Sequence, residues 1–240
     1  MSKHCYGHRL PGVELSELDG FLIVLEGPDS SGRSTQIRLL SRWLENEGYA
    51  VELMGLKRSR LVAPELDKAK RGNVLSPRTM ALFYATDFYD QLENRIVPAL
   101  RAGAVILADR YIYTLMARDL VRGGDAAWLE GLYSMALVPD AVFLLDTSSE
   151  NLVERTLDSR GRLDYWESGM DVGIERDWYA SFMEYQSRMR TQFQGLAARY
   201  GLQHIDGDRS ILEIHDELRG RVSAILGRPG AAAGAAGAVA

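Results

Sequence analysis

FLIVLEGPDSSGRSTQIRLL, residues 21–40, is the stretch on which the fold turns. Five apolar residues ending at Glu26 have the length and continuity of a strand buried on both faces, as in a parallel sheet covered by helices. Nine residues follow, Gly27-Pro28-Asp29-Ser30-Ser31-Gly32-Arg33-Ser34-Thr35, and then an amphipathic helix. Their spacing is that of a phosphate-binding loop, G-x-x-x-x-G-K-[ST], with Arg33 where lysine is expected. Glycines allow the backbone to curl so that amide N–H groups point inward, and the helix start adds favourable electrostatics for an anion. Gly27, Ser30, Ser31, Gly32, Arg33, Ser34 and Thr35 are thus candidate contacts for phosphate oxygens, and the Ser34 hydroxyl is a candidate ligand for Mg²⁺. Arg33 is a departure of substance, because lysine is a compact point charge and arginine a planar fork. All but four of the 28 basic residues are arginine, so composition bias bears on the exchange.

Working outward, further strand candidates lie at 50–55, 104–109, 141–146 and 202–206, each four to six residues and mostly apolar. Between them run helical patterns. Met80, Tyr84, Phe88, Leu92 and Ile96 recur every four residues with Pro98 close behind; Ile174, Trp178, Phe182, Tyr185, Met189, Phe193, Leu196 and Tyr200 follow steps of three and four. Most of both stripes reads as core. Alternating strands and helices predict a three-layer α/β fold in one domain, 21–226. Residues 1–20 read as a loose lead-in. The Ala/Gly run from Gly227 reads as a flexible tail, 227–240, too poor in apolar surface to offset its ordering entropy.

Composition narrows the function. A net charge of −5 gives no support for general affinity toward nucleic acid. The single Cys5 cannot form an intrachain disulfide. The apolar runs fall far short of the roughly 20 residues that span a bilayer. A cytoplasmic protein with small-molecule partners is the expectation.

In doubly wound sheets ligands sit outside the carboxyl ends of the strands. Asp109 ends AVILAD and is followed at once by Arg110: an acid to orient Mg²⁺ beside an arginine to grip phosphate suits phosphoryl transfer. Asp146 opens DTSSENL, where Asp or Ser can cap the following helix. Arg155, Arg160 and Arg162 cluster around a helix break at Gly161, on a segment able to close over a triphosphate, screen developing charge and expel water.

EGPDSSGRSTQ, FYATDFYD, ILADRY and RGRLD, in this order, resemble the thymidylate kinase family of nucleoside monophosphate kinases, over about 21–226. That resemblance implies a P-loop NTPase fold with a five-stranded parallel sheet and a homodimer. It also implies that ATP and Mg²⁺ serve direct γ-phosphoryl transfer to a nucleoside monophosphate acceptor. By position Asp29 resembles the loop carboxylate near the acceptor sugar and phosphate, Phe83 the aromatic that stacks on the acceptor base, and Arg58 the arginine that binds the acceptor phosphate. Asp109 and Arg110 match the Asp-Arg pair near the transferred group; Arg160 and Arg162 fall in the lid. Four residues after the stacking aromatic the family places an arginine that donates to the pyrimidine; here it is Asp87. A glutamine near the base is replaced in this stretch by Arg118 and Asp119.

A carboxylate facing a thymine carbonyl brings acceptors together, so Asp87 implies a weakened thymine preference and a fit to amino-bearing acceptors. The expected activity is therefore dTMP-kinase-like, with altered acceptor choice. The alternatives are a nucleotide-binding regulatory protein without turnover, for which Arg33 and the rewritten base pocket speak, and a kinase of a non-nucleotide small molecule.

Overall fold

Apolar residues that alternate between two faces need cover on both, and the computed structural model, which describes residues 3–72 and 75–227, supplies it. Five strands form one parallel sheet: β1 (Phe21–Glu26), β2 (Val51–Gly55), β3 (Val105–Asp109), β4 (Ala141–Asp146) and β5 (Gln203–Asp206), in the order β2-β3-β1-β4-β5. Three begin one residue later than their apolar runs, yet the carbonyls of Ala50 and Ala104 already accept from Val105 and Phe21. Ile23, Leu25, Val105, Leu107, Phe143 and Leu145 pack on one face against α1 (Arg33–Asn46) and α9 (Ile211–Ile225). Leu22, Val24, Ile106, Ala108, Val142 and Leu144 face the other way. There they meet α3 (Pro77–Gln91), α5 (Ile112–Val121) and α8 (Trp178–Tyr200). Period-two alternation along each strand thus fills both layers.

The remaining described α-helices are α2 (Ala63–Gly72), α4 (Val97–Arg101), α6 (Ala126–Leu132) and α7 (Ser149–Arg160). Register sets the working edge: Leu25 and Gly55 both pair with Asp109, and Glu26 with Leu144, so the carboxyl ends of β1 to β4 stand side by side. α7 stops at Gly161, which takes a left-handed φ of 68°.

One sequence expectation is corrected, and one is resolved between its two alternatives. The lead-in is docked rather than loose: Leu10 and Leu18 are buried, Cys5 bridges Leu137, and Lys3 pairs with Asp140, whose carboxylate also accepts the Leu22 N–H at 2.7 Å. Asp146 caps no helix. Ser148 caps α7, while Asp146 receives Nε and Nη2 of Arg190 at 2.7 and 3.0 Å. Of the expected tail, 228–240 lie outside the described residues.

Candidate active site

Gly27 has φ +143°, and a Cβ there would stand 2.7 Å from the carbonyl oxygen of Leu145, so only glycine lets the chain leave β1 hard against β4. Ser30 and Gly32 are also left-handed, at φ 64° and 92°. Gly32 is the N-cap of α1 and brings no capping side chain, which leaves helix-start N–H groups for an outside anion. Residues 29–36 line a cleft of about 980 Å³.

Arg33 does not point along this cleft as a free cation. Its Nε donates to Asp109 Oδ1 at 3.0 Å, and its Nη1 to the carbonyls of Gly27 (2.7 Å) and Pro28 and to Ser31 Oγ (3.0 Å). It braces the loop from inside. Asp109 Oδ2 accepts from Ser34 Oγ at 2.7 Å. Burial alone would raise the Asp109 pKa, but Arg33 and Ser34 outweigh it and hold the carboxyl below its ordinary value. A hydroxyl and an ionised carboxylate side by side fit Mg²⁺, which takes one or two protein oxygens and leaves the rest to water and phosphate.

Arg110 stands next, with φ 77°, 7% exposed. It donates to Gly27 O (3.2 Å), Thr114 Oγ1 (3.1 Å) and Asp29 Oδ1 (2.5 Å). Burial and the like charge of Arg33 bring its pKa down to about 10. Asp29 Oδ2 accepts from Arg118 at 2.9 Å. Burial opposes ionisation of Asp29, yet Arg110, Arg118 and Arg33 hold it far below the usual carboxylate range. Beneath this group Glu26, fully buried, accepts the N–H groups of Tyr111 (2.8 Å) and Thr114 (3.2 Å) and the Thr114 hydroxyl, fixing the start of α5 and so Arg110. Burial raises its pKa, with the Thr114 bond and Arg110 opposing. Sequence reading took Glu26 only as the end of a strand.

The acceptor side departs from expectation at two residues. Asp87 does not face a base: it is fully buried and accepts the N–H of Lys57 and of Ser59, each at 2.8 Å, and Gln91 Nε2 at 3.0 Å. It ties down the loop after β2, whose Lys57 is left-handed at φ 58° and whose Arg58 lines the cleft. Phe83 packs against the core, and Tyr84, one residue on, lines both the cleft and an adjoining pocket of about 170 Å³. Counting four from Tyr84 gives Phe88, a core residue, and not Asp87. The smaller pocket is walled by Leu75, Met80, Leu115, Trp166 and Tyr185, with Arg118, Asp119 and Arg122 as polar groups. Asp119 lines this pocket, and burial raises its pKa to about 6 against the pull of Arg122 and Arg118.

The lid arginines divide. Arg160 lines the cleft and makes a two-pronged pair with Glu167, at 2.7 and 2.8 Å. Arg155 also lines it and donates to Gly207 O at 3.0 Å. Arg162 is exposed and borders neither cavity. Two features were missed. The far end of the cleft is closed by Arg209, Ser210 and Ile211, and Gln36 Nε2 holds the Ile211 carbonyl at 2.9 Å. The signal was the capping box Ser210–Glu213, a local cue that says nothing of which cavity it borders. The other is Lys70 on α2, which lines the cleft and the smaller pocket, its ammonium 5.6 Å from the centre of the Trp166 ring.

Comparison with known proteins bears on this geometry. The thymidylate kinase family model matches residues 25–218. A Saccharolobus solfataricus protein named "Probable thymidylate kinase 2" is 35% identical over 201 residues, 83% of this chain and 94% of that protein. A Clavibacter michiganensis thymidylate kinase is 32% identical over 218 residues, 87% of this chain and 97% of that one. A Thermococcus gammatolerans protein named "Probable thymidylate kinase" is 30% identical across 85% of this chain and 96% of its own.

Proposed function

The chain belongs to the thymidylate kinase family, and from that membership we propose the reaction of its cleft: transfer of the γ-phosphoryl group of ATP to dTMP, giving dTDP and ADP. The observation that carries this reading is a cleft over the phosphate loop that adjoins a smaller pocket, the two sharing Asp29, Tyr84 and Arg118, with Arg110 on the cleft side. N–H groups of the loop cradle the donor phosphates, and the donor base lies toward Arg209, Ser210 and Ile211. Tyr84 takes the face of the acceptor base, Asp119 borders its edge, and Arg58 and Arg110 take the acceptor phosphate. Arg160 and Arg155 close from the lid. Ser34 and Asp109 would hold Mg²⁺, which when bound screens the phosphate charges. Such catalysis is positioning and electrostatics, so no strong general base is required.

The acceptor preference formerly tied to Asp87 has no support from its position beneath the loop. ADP release measured across a panel of monophosphates tests the assignment: dTMP should be the strongest acceptor, and absence of acceptor-dependent ADP formation overturns it. We further propose a cytoplasmic homodimer. Family membership supports the dimer, as does exposed Leu82 on the outer side of α3; no described helix is long and apolar enough to cross a membrane. Light scattering at a monomer mass would remove the dimer.

A further inference from the structure

In a phosphate loop the lysine of the motif is a long, flexible stem with a compact charge that can follow the phosphoryl group as it moves. In this chain the motif position is Arg33, and its guanidinium is joined to Asp109, to the carbonyls of Gly27 and Pro28 and to Ser31, with 7% of the side chain exposed. A fork bonded at Nε and Nη1 braces the loop well and travels poorly. The cleft nevertheless contains a lysine. Lys70 enters from α2, across the cavity from the loop, and it lines the cleft, the smaller pocket and a third cavity beside Trp166. It stands where donor and acceptor spaces meet.

Its surroundings leave that charge unclaimed. Among the described residues no carboxylate forms an ion pair with Lys70, whereas its neighbours Lys57 and Lys68 pair with Asp67 and Glu65. What it touches is the face of Trp166. The charged groups that act on it most strongly are Arg118 from α5, Lys57 from the loop after β2, Asp29 from the phosphate loop and Asp164 from the lid segment, two of each sign. Other carboxylates of its cavities are engaged elsewhere: Glu167 with Arg160, Asp171 with Arg122 and Asp67 with Lys57.

We propose that Lys70 is a catalytic residue of the phosphoryl transfer, its ammonium moving from Trp166 onto the transferred group to supply the mobile charge that Arg33, bonded into the loop, does not. The inference rests on the kinase reading above. In the step it assists, an oxygen of the acceptor phosphate forms the bond to the γ-phosphorus. The bridging β–γ P–O bond breaks with its electron pair passing to ADP; nothing is oxidised or reduced. Lys70 contributes charge and takes no proton. Burial, with Arg118 and Lys57 adding like charge, brings its pKa to about 8, so the free enzyme loses this cation on the alkaline side.

The test is steady-state kinetics of the full chain with Mg²⁺, ATP and dTMP, comparing wild type, Lys70→Met and Lys70→Arg, with circular dichroism to establish folding. Lys70→Met should lower kcat about 100-fold while the KM for dTMP stays within about threefold, as expected for a group that acts on transition-state charge. Lys70→Arg should recover at least about tenfold of that loss. Wild-type kcat/KM should fall above a pH of about 8, and in Lys70→Arg that fall should vanish. A folded Lys70→Met within threefold of wild-type kcat overturns the inference, as does the same alkaline fall in Lys70→Arg. Should Lys70→Met not fold, the pH profile of Lys70→Arg decides alone. A wild-type chain that releases no ADP with dTMP overturns the kinase reading, and this assignment with it.

Discussion

On the floor of the cleft, Arg33 and Arg110 each keep 7% of their side-chain surface and each makes at least three hydrogen bonds, Arg33 to the loop and Asp109, Arg110 to the loop and Thr114. On the roof, Arg160 keeps 46% and among the described residues is held by Glu167 alone, and Arg162 is exposed. The same side-chain chemistry therefore serves two purposes. Floor guanidiniums are built in at folding and hold the loop in shape before any nucleotide arrives, so little reorganisation remains for the reaction. Roof cations are weakly held and free to move when phosphate enters. Backbone strain follows the same division: among the described residues, the left-handed non-glycine ones are Ser30, Lys57 and Arg110, all in loops at the carboxyl edge beneath the cleft.

Substitutions can break or sharpen this contrast. The largest effect belongs to Asp109→Asn, which removes the counter-charge of Arg33 and the partner of Ser34. kcat should fall about 1,000-fold, and a loss under tenfold would show that the floor is scaffold only. Asp87→Ala should follow, since it strands the N–H groups of Lys57 and Ser59 and Gln91 in a fully buried place. Urea unfolding should report a loss of about 3 kcal/mol; a change under 1 would mean that the loop after β2 needs no anchor. Arg160→Ala should lower kcat about tenfold and leave stability within about 1 kcal/mol, because the Arg160 end of its pair with Glu167 is open to solvent. If stability dropped as far as for Asp87→Ala, roof and floor would not differ in kind.

Asp119 supplies a pH-resolved comparison. Its folded pKa of about 6 lies above the unfolded value of 3.8, so the folded state binds its proton more tightly. Stability is undiminished below pH 4, falls as pH rises through the window from about 4 to 6, and is lower by about 3 kcal/mol above it. Asp119→Asn should therefore raise the melting temperature at pH 7.5 and leave it unchanged at pH 4; equal gains at both would remove the titration. Smallest of all, Arg162→Ala should leave turnover within twofold.

The fold was legible because its signals are local. A continuous apolar run followed by Gly27 and Gly32 reads as strand, loop and helix wherever it occurs, and Tyr84, Phe88 and Leu92 mark a buried stripe without any knowledge of their partners. The site was legible where one motif holds both partners, as with Ser34 in the loop and Asp109 at a strand end. It was illegible where a side chain chooses among distant backbone groups. Nothing near Asp87 says that its partners are Lys57 and Ser59, thirty residues earlier. Phe83 and Tyr84 are both aromatic on one helix, and only the packing of α3 decides which of them meets the cavity. Arg33 was read by its motif position, but its bonds depend on carbonyls whose direction the left-handed turn sets.

The docked lead-in has a practical consequence. Lys3 is fastened to Asp140 and lies over the ring of Phe21, at the amino ends of β1 and β4, whereas the cleft lies at the carboxyl ends. A tether joined ahead of Lys3, to a bead, an electrode or a fluorescent partner, would leave from the side opposite the entrance and keep the doorway clear.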